Sequence, residues 1–418
     1  MLLALPRLGV DMDTVRPALI HYQDAFAVIV CRDPENIMIN YEKRLQSVQS
    51  AMARANIDII FLNVSGNLTY LTGIEREEPN YGNTMYPGEW LTGAWVPQFG
   101  QPILTLPRMM AEFHMGSVTG YDVRVLPDAG DPLQMVASVL DSLKIGSSAA
   151  VAVEDRAWAE FVLNLRSVLP DATLSLASAI LAPLRRIKDE DEIAVMRKAG
   201  EITEAAYVAT LARLRHGMTN LELIAEVNYQ LQKNGARTNS FVTSFYNMGV
   251  DYPFDFTNRE AVLHVPLEPP VSISFDFGAV YGGYCYDYGR SVFFGEPDAE
   301  YRRVYQLVID SQAAGIAALR AGNTCEQADA AARAVIQKSG FGDAFRHRLG
   351  HGIGIDVHEA PFLTAGDTTE LATGMCFTAE PSIFIPRRLG ARVEDVVVVR
   401  EEGGEALTNN YKDLHVVE

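Results

Sequence analysis

Helical and strand-like patterns of apolar residues alternate along the first part of the chain. Three segments place apolar side chains at helical spacing: residues 43–55, 132–146 and 159–170. Each is followed by a short apolar run of the length of a buried strand: residues 57–64, 149–154 and 172–177. Helices that alternate with strands are typical of an α/β domain with a mixed sheet. We therefore predict an α/β domain over residues 1–183.

The second part of the chain orders its elements differently. Residues 189–192 are acidic where a helix is predicted to begin, and the helix dipole favours negative charge at that end. Four helices are predicted here: residues 193–215, 220–235, 299–321 and 325–339. Strand-rich stretches separate the two helix pairs and follow the second pair. This order predicts an α+β domain over residues 184–418, with its functional residues on the concave face of bent strands.

One predicted hairpin brings two acidic residues together. Residues 271–277 alternate so that Asp276 shares a face with two serines, opposite an apolar face. A glycine-rich turn at Gly282–Gly283 then returns the chain along YCYDYGRSVFF. We therefore expect Asp276 and Asp287 to lie on neighbouring strands.

Composition and charge narrow the classes of function. The chain has 418 residues, of which 48% are hydrophobic and 21% charged, as in a folded globular protein. Its net charge of −18 argues against a nucleic-acid or anionic-membrane partner, because both need a basic surface. The four cysteines lack metal-binding spacing, and we expect a reducing, cytoplasmic setting. Neither a signal peptide nor a membrane-spanning apolar run is expected.

Five residues in the second domain are candidate metal ligands: Asp276, Asp287, His351, Glu380 and Glu394. Carboxylate oxygens and one imidazole suit Mn²⁺, Co²⁺ or Zn²⁺ rather than a metal that prefers thiolates. Four carboxylates balance the charge of two divalent ions. A single ion would leave buried carboxylates without compensation, which is costly. We therefore predict two divalent ions, with Mn²⁺ as the first expectation.

The sequence around these residues resembles the pita-bread metallohydrolases, which include aminopeptidase P, prolidase, methionine aminopeptidase and creatinase. The stretches that carry the resemblance are DFGAVYGGYCYDYGRS, GHGIGIDVHEAP, FTAEPSIF and ARVEDVVVV. A weaker match over residues 41–75 resembles the start of the N-terminal domain in the prolidase branch. The resemblance implies a creatinase-like α/β N-terminal domain and an α+β pita-bread catalytic domain.

The resemblance also implies a role for each ligand. Asp276 would chelate the first metal, Asp287 and Glu394 would bridge the pair, and His351 and Glu380 would complete the second metal's shell. A hydroxide that bridges the metals would attack the scissile amide. Glu380 would act as general base for the water.

Two further residues are predicted to contact the substrate. His358 matches the family histidine that donates a hydrogen bond to the substrate, and its alternative role is a cap on its own loop. Arg392 shares a strand face with Glu394 and would face an anionic group such as a substrate carboxylate. Its alternative role is a salt bridge to a ligand carboxylate.

The first functional hypothesis is a Xaa-Pro peptidase of the prolidase or aminopeptidase P type, acting as a homodimer on a small peptide. The alternative is a non-peptide hydrolase or lyase of the same fold. A dimethylsulfoniopropionate lyase would carry an aspartate where Gly278 stands, and creatinase lacks the metal ligands. A non-catalytic binding protein is disfavoured because the ligand set is intact.

The chain departs from the peptidase pattern at two places. Peptidases of the family carry a histidine upstream of the first metal aspartate, where this chain has Phe254 to Phe256. They often carry a hydroxyl residue at the position of Gly289. His264 lies too close to the strand to replace the missing histidine.

Overall fold

The computed structural model describes residues 39–75, 88–114, 120–252, 262–408 and 411–418. The helices of the N-terminal half are α1 (Tyr41–Ala55), α2 (Gly66–Thr72), α3 (Pro132–Ser142), α4 (Ala159–Val168) and α5 (Ser178–Arg186). Its strands are β1 (Ile59–Asn63), β2 (Gly93–Pro97), β3 (Ile103–Pro107), β4 (Asp122–Leu126), β5 (Ala150–Val153) and β6 (Thr173–Leu176).

These six strands form one mixed sheet in the spatial order β4-β3-β2-β1-β5-β6. Strands β1, β5 and β6 run parallel, whereas β2 pairs antiparallel with both β1 and β3. Helices α3 and α4 cover one face, where the rings of Phe61 and Phe161 stack with centroids 3.9 Å apart. The predicted helix–strand alternation is therefore observed.

The second half begins with two capped helices, α6 (Glu190–Leu211) and α7 (Asn220–Lys233). The Asp189 carboxylate accepts from the Glu192 backbone N–H, and the Glu192 side chain accepts from the Asp189 backbone N–H. This reciprocal cap starts α6 three residues before the predicted start of the helix. The predicted domain boundary between residues 183 and 184 falls within α5 and stays a prediction.

The later helices are α8 (Ala299–Ala318) and α9 (Cys325–Lys338). The strands before them are β7 (Thr238–Asn239), β8 (Ser244–Met248), β9 (Val271–Phe277), β10 (Ala279–Tyr281), β11 (Tyr284–Cys285) and β12 (Tyr288–Phe294). The strands after them are β13 (Gly350–Gly352), β14 (Glu359–Leu363), β15 (Cys376–Ala379), β16 (Ser382–Ile385), β17 (Leu389–Arg392), β18 (Asp395–Val399), β19 (Gly404–Ala406) and β20 (His415–Val417).

Two sheets of this half supply the site. One has the order β20-β12-β9-β8, and the other has the order β14-β13-β15-β18-β19. An isolated β-bridge between Gly289 and Glu394 joins them. The site lies where the two sheets meet at this bridge.

The largest apolar core spans both halves of the molecule. It contains Ile60 and Leu62 of β1, Met196 and Tyr207 of α6, and Phe275 of β9, all buried. The two halves are therefore packed against each other through apolar contacts. Within the described part of the chain, no helix has the length and apolar character needed to cross a membrane.

Candidate active site

The five predicted ligands come from five different positions around the two sheets. Asp276 is the sixth residue of β9, and Asp287 directly precedes β12. His351 is the central residue of β13, Glu380 follows β15, and Glu394 directly precedes β18. Residues more than 100 positions apart thus meet because the strands that carry them are paired.

Strand register explains how these residues converge. Gly289 of β12 pairs with Asp276 of β9 and also bridges to Glu394. On the other sheet, Ala379 of β15 pairs with Asp395 of β18. Glu380 follows Ala379 and Glu394 precedes Asp395, so both lie at the same end of this strand pair.

The ligand atoms lie close enough to share metal ions. His351 Nε2 is 3.6 Å from Asp287 Oδ2 and 3.5 Å from Glu380 Oε1. Potential ligand atoms of Asp287, His351 and Glu394 all lie within 4.8 Å of one another, and all three residues are buried. The structure therefore brings together Asp287, His351, Glu380 and Glu394. Asp276 adjoins them through Arg392, whose Nη2 atom lies 2.8 Å from Asp276 Oδ1.

The carboxylates of this cluster carry an electrostatic cost. Burial, followed by repulsion from Asp276, raises the pKa of Asp287 to about 7. Burial also raises the pKa of Glu380 to about 7, even though His351 and Arg392 act to lower it. The pKa of Glu394 is well above its usual value for the same reason, with Asp287 as the next cause. Divalent cations would relieve this repulsion.

One buried carboxylate oxygen of the cluster has no donor among the described residues. Asp287 Oδ1 is buried and accepts no hydrogen bond there, whereas Glu394 Oε2 lies 3.2 Å from Arg392 Nη2. The Nδ1 atom of His351 lies 3.1 Å from the carbonyl of Gly352, so Nδ1–H donates there and Nε2 keeps a free lone pair. An unpartnered buried oxygen and an oriented imidazole fit a divalent ion.

Arg392 lies within this cluster of carboxylates. Its Nη2 atom is 2.8 Å from Asp276 Oδ1 and 3.2 Å from Glu394 Oε2. The residue is only 5% exposed. These contacts correspond to the salt-bridge alternative considered for Arg392. Its role in substrate binding stays a prediction.

His358 lies beside the cluster, on the loop between β13 and β14. Its ring centroid is 4.1 Å from that of His351, and the residue is exposed. Partial burial and then His351 lower the pKa of His358, so the neutral ring predominates at neutral pH. An exposed imidazole next to a ligand is placed to contact a substrate.

Two residues that the sequence did not predict for the site lie beside the ligands. The Tyr246 hydroxyl donates to Asp276 Oδ2 at 3.1 Å, and strand pairing of β8 with β9 brings it there. His347 Nδ1 lies 4.0 Å from Glu380 Oε2, but its N–H donates to the carbonyl of Arg348 at 2.8 Å, and Nε2 is 2.7 Å from Ser382 Oγ. Neither residue stands in a motif that points to its neighbour in the site.

Only one of the two departures from the family pattern lies among the described residues. Phe254 to Phe256, where the upstream histidine was expected, lie outside the described residues. His264 is exposed and is not part of the described ligand cluster. At Gly289, a Cβ atom would lie 2.7 Å from Glu394 Oε2 and 2.8 Å from Arg392 Nε. The glycine therefore leaves room for these two side chains as they are placed here.

Comparison with known proteins identifies the family. Residues 194–401 match metallopeptidase family M24, and residues 44–187 match the creatinase/prolidase N-terminal domain. The chain is 33% identical over 382 residues to the probable dipeptidase PepE of Mycobacterium tuberculosis, covering 90% of this chain and 96% of that protein. It is 30% identical over 377 residues to the Xaa-Pro dipeptidase of Lactobacillus delbrueckii subsp. lactis, covering 89% and 98%.

A solved structure of a prolidase also matches this chain. Recombinant prolidase from Thermococcus sibiricus superposes with a TM-score of 0.80 at 27% identity, covering 91% of this chain and 100% of that one. The chain belongs to metallopeptidase family M24. The predicted family, the two-domain fold class and the assignment as a metallohydrolase are confirmed, and the non-peptide alternative is not favoured.

Proposed function

We propose that the protein is a Xaa-Pro dipeptidase that uses two Mn²⁺ ions. The observation that carries this proposal is the buried group of Asp287, His351 and Glu394, whose potential ligand atoms all lie within 4.8 Å of one another, with Glu380 Oε1 3.5 Å from His351 Nε2. The similarity to an Xaa-Pro dipeptidase and to a prolidase supports the substrate class.

The proposed ligands are those named from the sequence. Asp276 would chelate one ion, Asp287 and Glu394 would bridge, and His351 and Glu380 would complete the second site. When bound, the ions supply Lewis-acid chemistry that polarises the scissile carbonyl and stabilises developing negative charge. Oxygen and nitrogen ligands of this kind also accept Co²⁺ or Zn²⁺.

Glu380 is the proposed general base. Its Oε1 atom accepts from the Thr378 hydroxyl at 3.2 Å and faces His351 Nε2. The other oxygen, Oε2, is therefore the atom that can take the proton from the attacking water and pass it to the leaving nitrogen.

Two side chains would orient the substrate. His358 would donate a hydrogen bond to the substrate carbonyl, because its exposed ring stands beside His351. Arg392 has a buried Nε–H without an acceptor among the described residues. That donor supports the proposal that Arg392 also contacts an anionic group of the substrate.

We further propose a cytoplasmic homodimer. Among the described cysteines, Cys325 and Cys376 are buried free thiols, which suits a reducing compartment. In related enzymes, N-domain loops of one subunit complete the pocket of the other, and this resemblance supports the dimer.

Reconstitution of metal-free protein tests the function and the metal together. Apo-protein is loaded with Mn²⁺, Co²⁺ or Zn²⁺ and assayed on a Xaa-Pro dipeptide and a Xaa-Pro tripeptide. We expect cleavage of the dipeptide, highest with Mn²⁺, and elemental analysis near two equivalents per chain. A His264→Asn variant is the control, because this exposed residue lies outside the cluster. No cleavage of either peptide with any metal would refute the peptidase proposal, and a plateau at one equivalent would refute the two-ion site.

A further inference from the structure

A second cluster of buried charges lies next to the loop that carries His358. Arg185, in the last turn of α5, donates from Nη2 to Asp356 Oδ2 at 2.6 Å and to Glu359 Oε1 at 2.5 Å. The ammonium group of Lys188 donates to Glu359 Oε2 at 3.1 Å. The side chains of Arg185, Lys188 and Glu359 are 10%, 3% and 10% exposed. Two cations and two carboxylates thus balance one another.

The same arginine, which belongs to the N-terminal half, is also hydrogen-bonded within that half. Its Nη1 atom donates to Asn67 Oδ1 at 2.6 Å, and Asn67 Nδ2 donates to Glu154 Oε1 at 2.9 Å. The helix that carries Asn67 packs tightly on the loop, because a Cβ atom on Gly66 would lie 2.4 Å from Asp356 Oδ2. A continuous polar chain therefore runs from Glu154 to the two carboxylates of the catalytic domain.

Those two carboxylates flank His358 in the sequence. Glu359 Oε1 also accepts from the Asp356 backbone N–H at 3.1 Å, which ties the two ends of residues 356–359 together. On the other side, the backbone N–H of Cys285 donates to the carbonyl of Gly354 at 2.7 Å. The loop is held by the metal-ligand hairpin on one side and by Arg185 on the other.

The charges of the cluster depend on each other. Burial alone would raise the pKa of Glu359, but Lys188 and Arg185 lower it to about 2. Removing one partner from a buried ion pair leaves an uncompensated charge, which moves or disorders the groups around it. A change at Arg185 would therefore act first on the segment that places His358.

We propose that Arg185 is a positioning residue that sets the orientation of His358 and couples it to the N-terminal domain. The role of His358 rests on the proposed peptidase function, whereas the coupling of the loop to the N-terminal domain does not. Arg185 touches no ligand of the metal cluster among its described contacts, so it acts through the loop.

The kinetic test is a double-mutant cycle. In Arg185→Lys a single ammonium cannot contact both carboxylates and Asn67 in the same planar arrangement. We expect kcat for a Xaa-Pro dipeptide to fall about 10- to 100-fold while the Mn²⁺ content stays unchanged, because a small misplacement of a substrate-contacting group costs up to about 100-fold. In a His358→Asn background, the same substitution should cost less than about 2-fold, since the two residues act as one unit. Equal losses in both backgrounds would overturn the proposal.

Two further variants test the same proposal. Asn67→Ala removes one neutral contact to Arg185, and it should give a smaller loss of kcat with the same dependence on His358. Asn67→Ala serves as the test variant in place of Arg185→Lys if the Arg185→Lys protein does not fold. Arg400→Lys is the matched control, because Arg400 also contacts two carboxylates, Glu190 and Glu405, but none near the site. A loss of kcat in Arg400→Lys as large as that in Arg185→Lys would contradict the proposal.

Hydrogen exchange of the Mn²⁺-loaded protein gives a readout that needs no substrate. We expect faster amide exchange over residues 353–359 in Arg185→Lys and in Asn67→Ala, with strand β1 unchanged. Unchanged exchange in this loop, or equal acceleration throughout the protein, would overturn the coupling. If the wild-type enzyme cleaves no Xaa-Pro peptide, the proposed function fails, and the exchange result alone decides whether Arg185 holds the loop.

Discussion

Arg392 contacts two of the predicted metal ligands and is also a proposed contact for the substrate. Its guanidinium contacts Asp276 and Glu394, and its Cζ atom lies 5.3 Å from the ring centroid of Tyr246. The planar group presents several donors in fixed directions, whereas a lysine ammonium is a point charge on a flexible stem. Its ion pairs hold the guanidinium against the carboxylates, whereas its free Nε–H is available to a substrate. A substitution distinguishes these two roles.

We predict that Arg392→Lys raises KM for a Xaa-Pro dipeptide about 10- to 150-fold, because a charge-assisted contact is worth about 1.5–3 kcal/mol. The Mn²⁺ content measured by elemental analysis should stay near that of the wild type, since all five ligands remain. An unchanged KM would restrict Arg392 to its ion pairs with Asp276 and Glu394.

At the scale of the elements, strand β12 is fixed to the segment that carries Glu394. Arg290 of β12 is 1% exposed, and it donates to the carbonyl of Glu394 at 2.6 Å and to Asp395 Oδ1 at 2.5 Å. Its Nε atom donates to the carbonyl of Tyr411 at 2.9 Å. One guanidinium therefore links β12, the start of β18 and the C-terminal segment.

We predict that Arg290→Lys lowers the free energy of unfolding by about 1–3 kcal/mol, because lysine keeps the charge but leaves buried acceptors of the guanidinium without a hydrogen bond. Urea titration of the apo-protein measures this change. Arg197→Lys serves as the comparison, since Arg197 pairs with Glu405 at 2.7 Å near the surface and such pairs contribute about 0–1 kcal/mol. Equal losses in the two variants would contradict a special role for Arg290.

At the scale of the whole molecule, two kinds of contact join the halves. The shared apolar core holds β1, α6 and β9 together, and the Arg185 cluster adds a polar connection to the His358 loop. The N-terminal half also exposes large apolar side chains, with Leu163 71% and Leu176 57% exposed. A second subunit that covered these side chains would remove their apolar surface from water.

We predict that the protein is a homodimer in solution, because a second subunit would complete the pocket and cover exposed apolar surface. Light scattering should give about twice the chain mass of 46.0 kDa. A monomer that keeps full activity at nanomolar concentration would contradict this prediction.

The sequence alone predicted most of the longer helices and the ligand types, but not α2, α5 or strands β2, β3 and β4. Apolar periodicity predicted helices α1, α3, α4 and α6 to α9 to within a few residues, because each buries one face and carries local end signals. The motifs around Asp276, Asp287, His351, Glu380 and Glu394 identified the candidate ligands and the family, since donor type and local frame are local properties of the chain.

Only the tertiary structure decided which groups meet. The contacts of Tyr246 with Asp276, of Arg392 with Asp276, and of Arg185 with the His358 loop join residues far apart in the chain. Such contacts depend on strand register and on the packing of the two halves, which no local pattern encodes. The charge state of the site also depends on the tertiary structure, because the pKa of Asp287 is raised by burial and by neighbours on other strands.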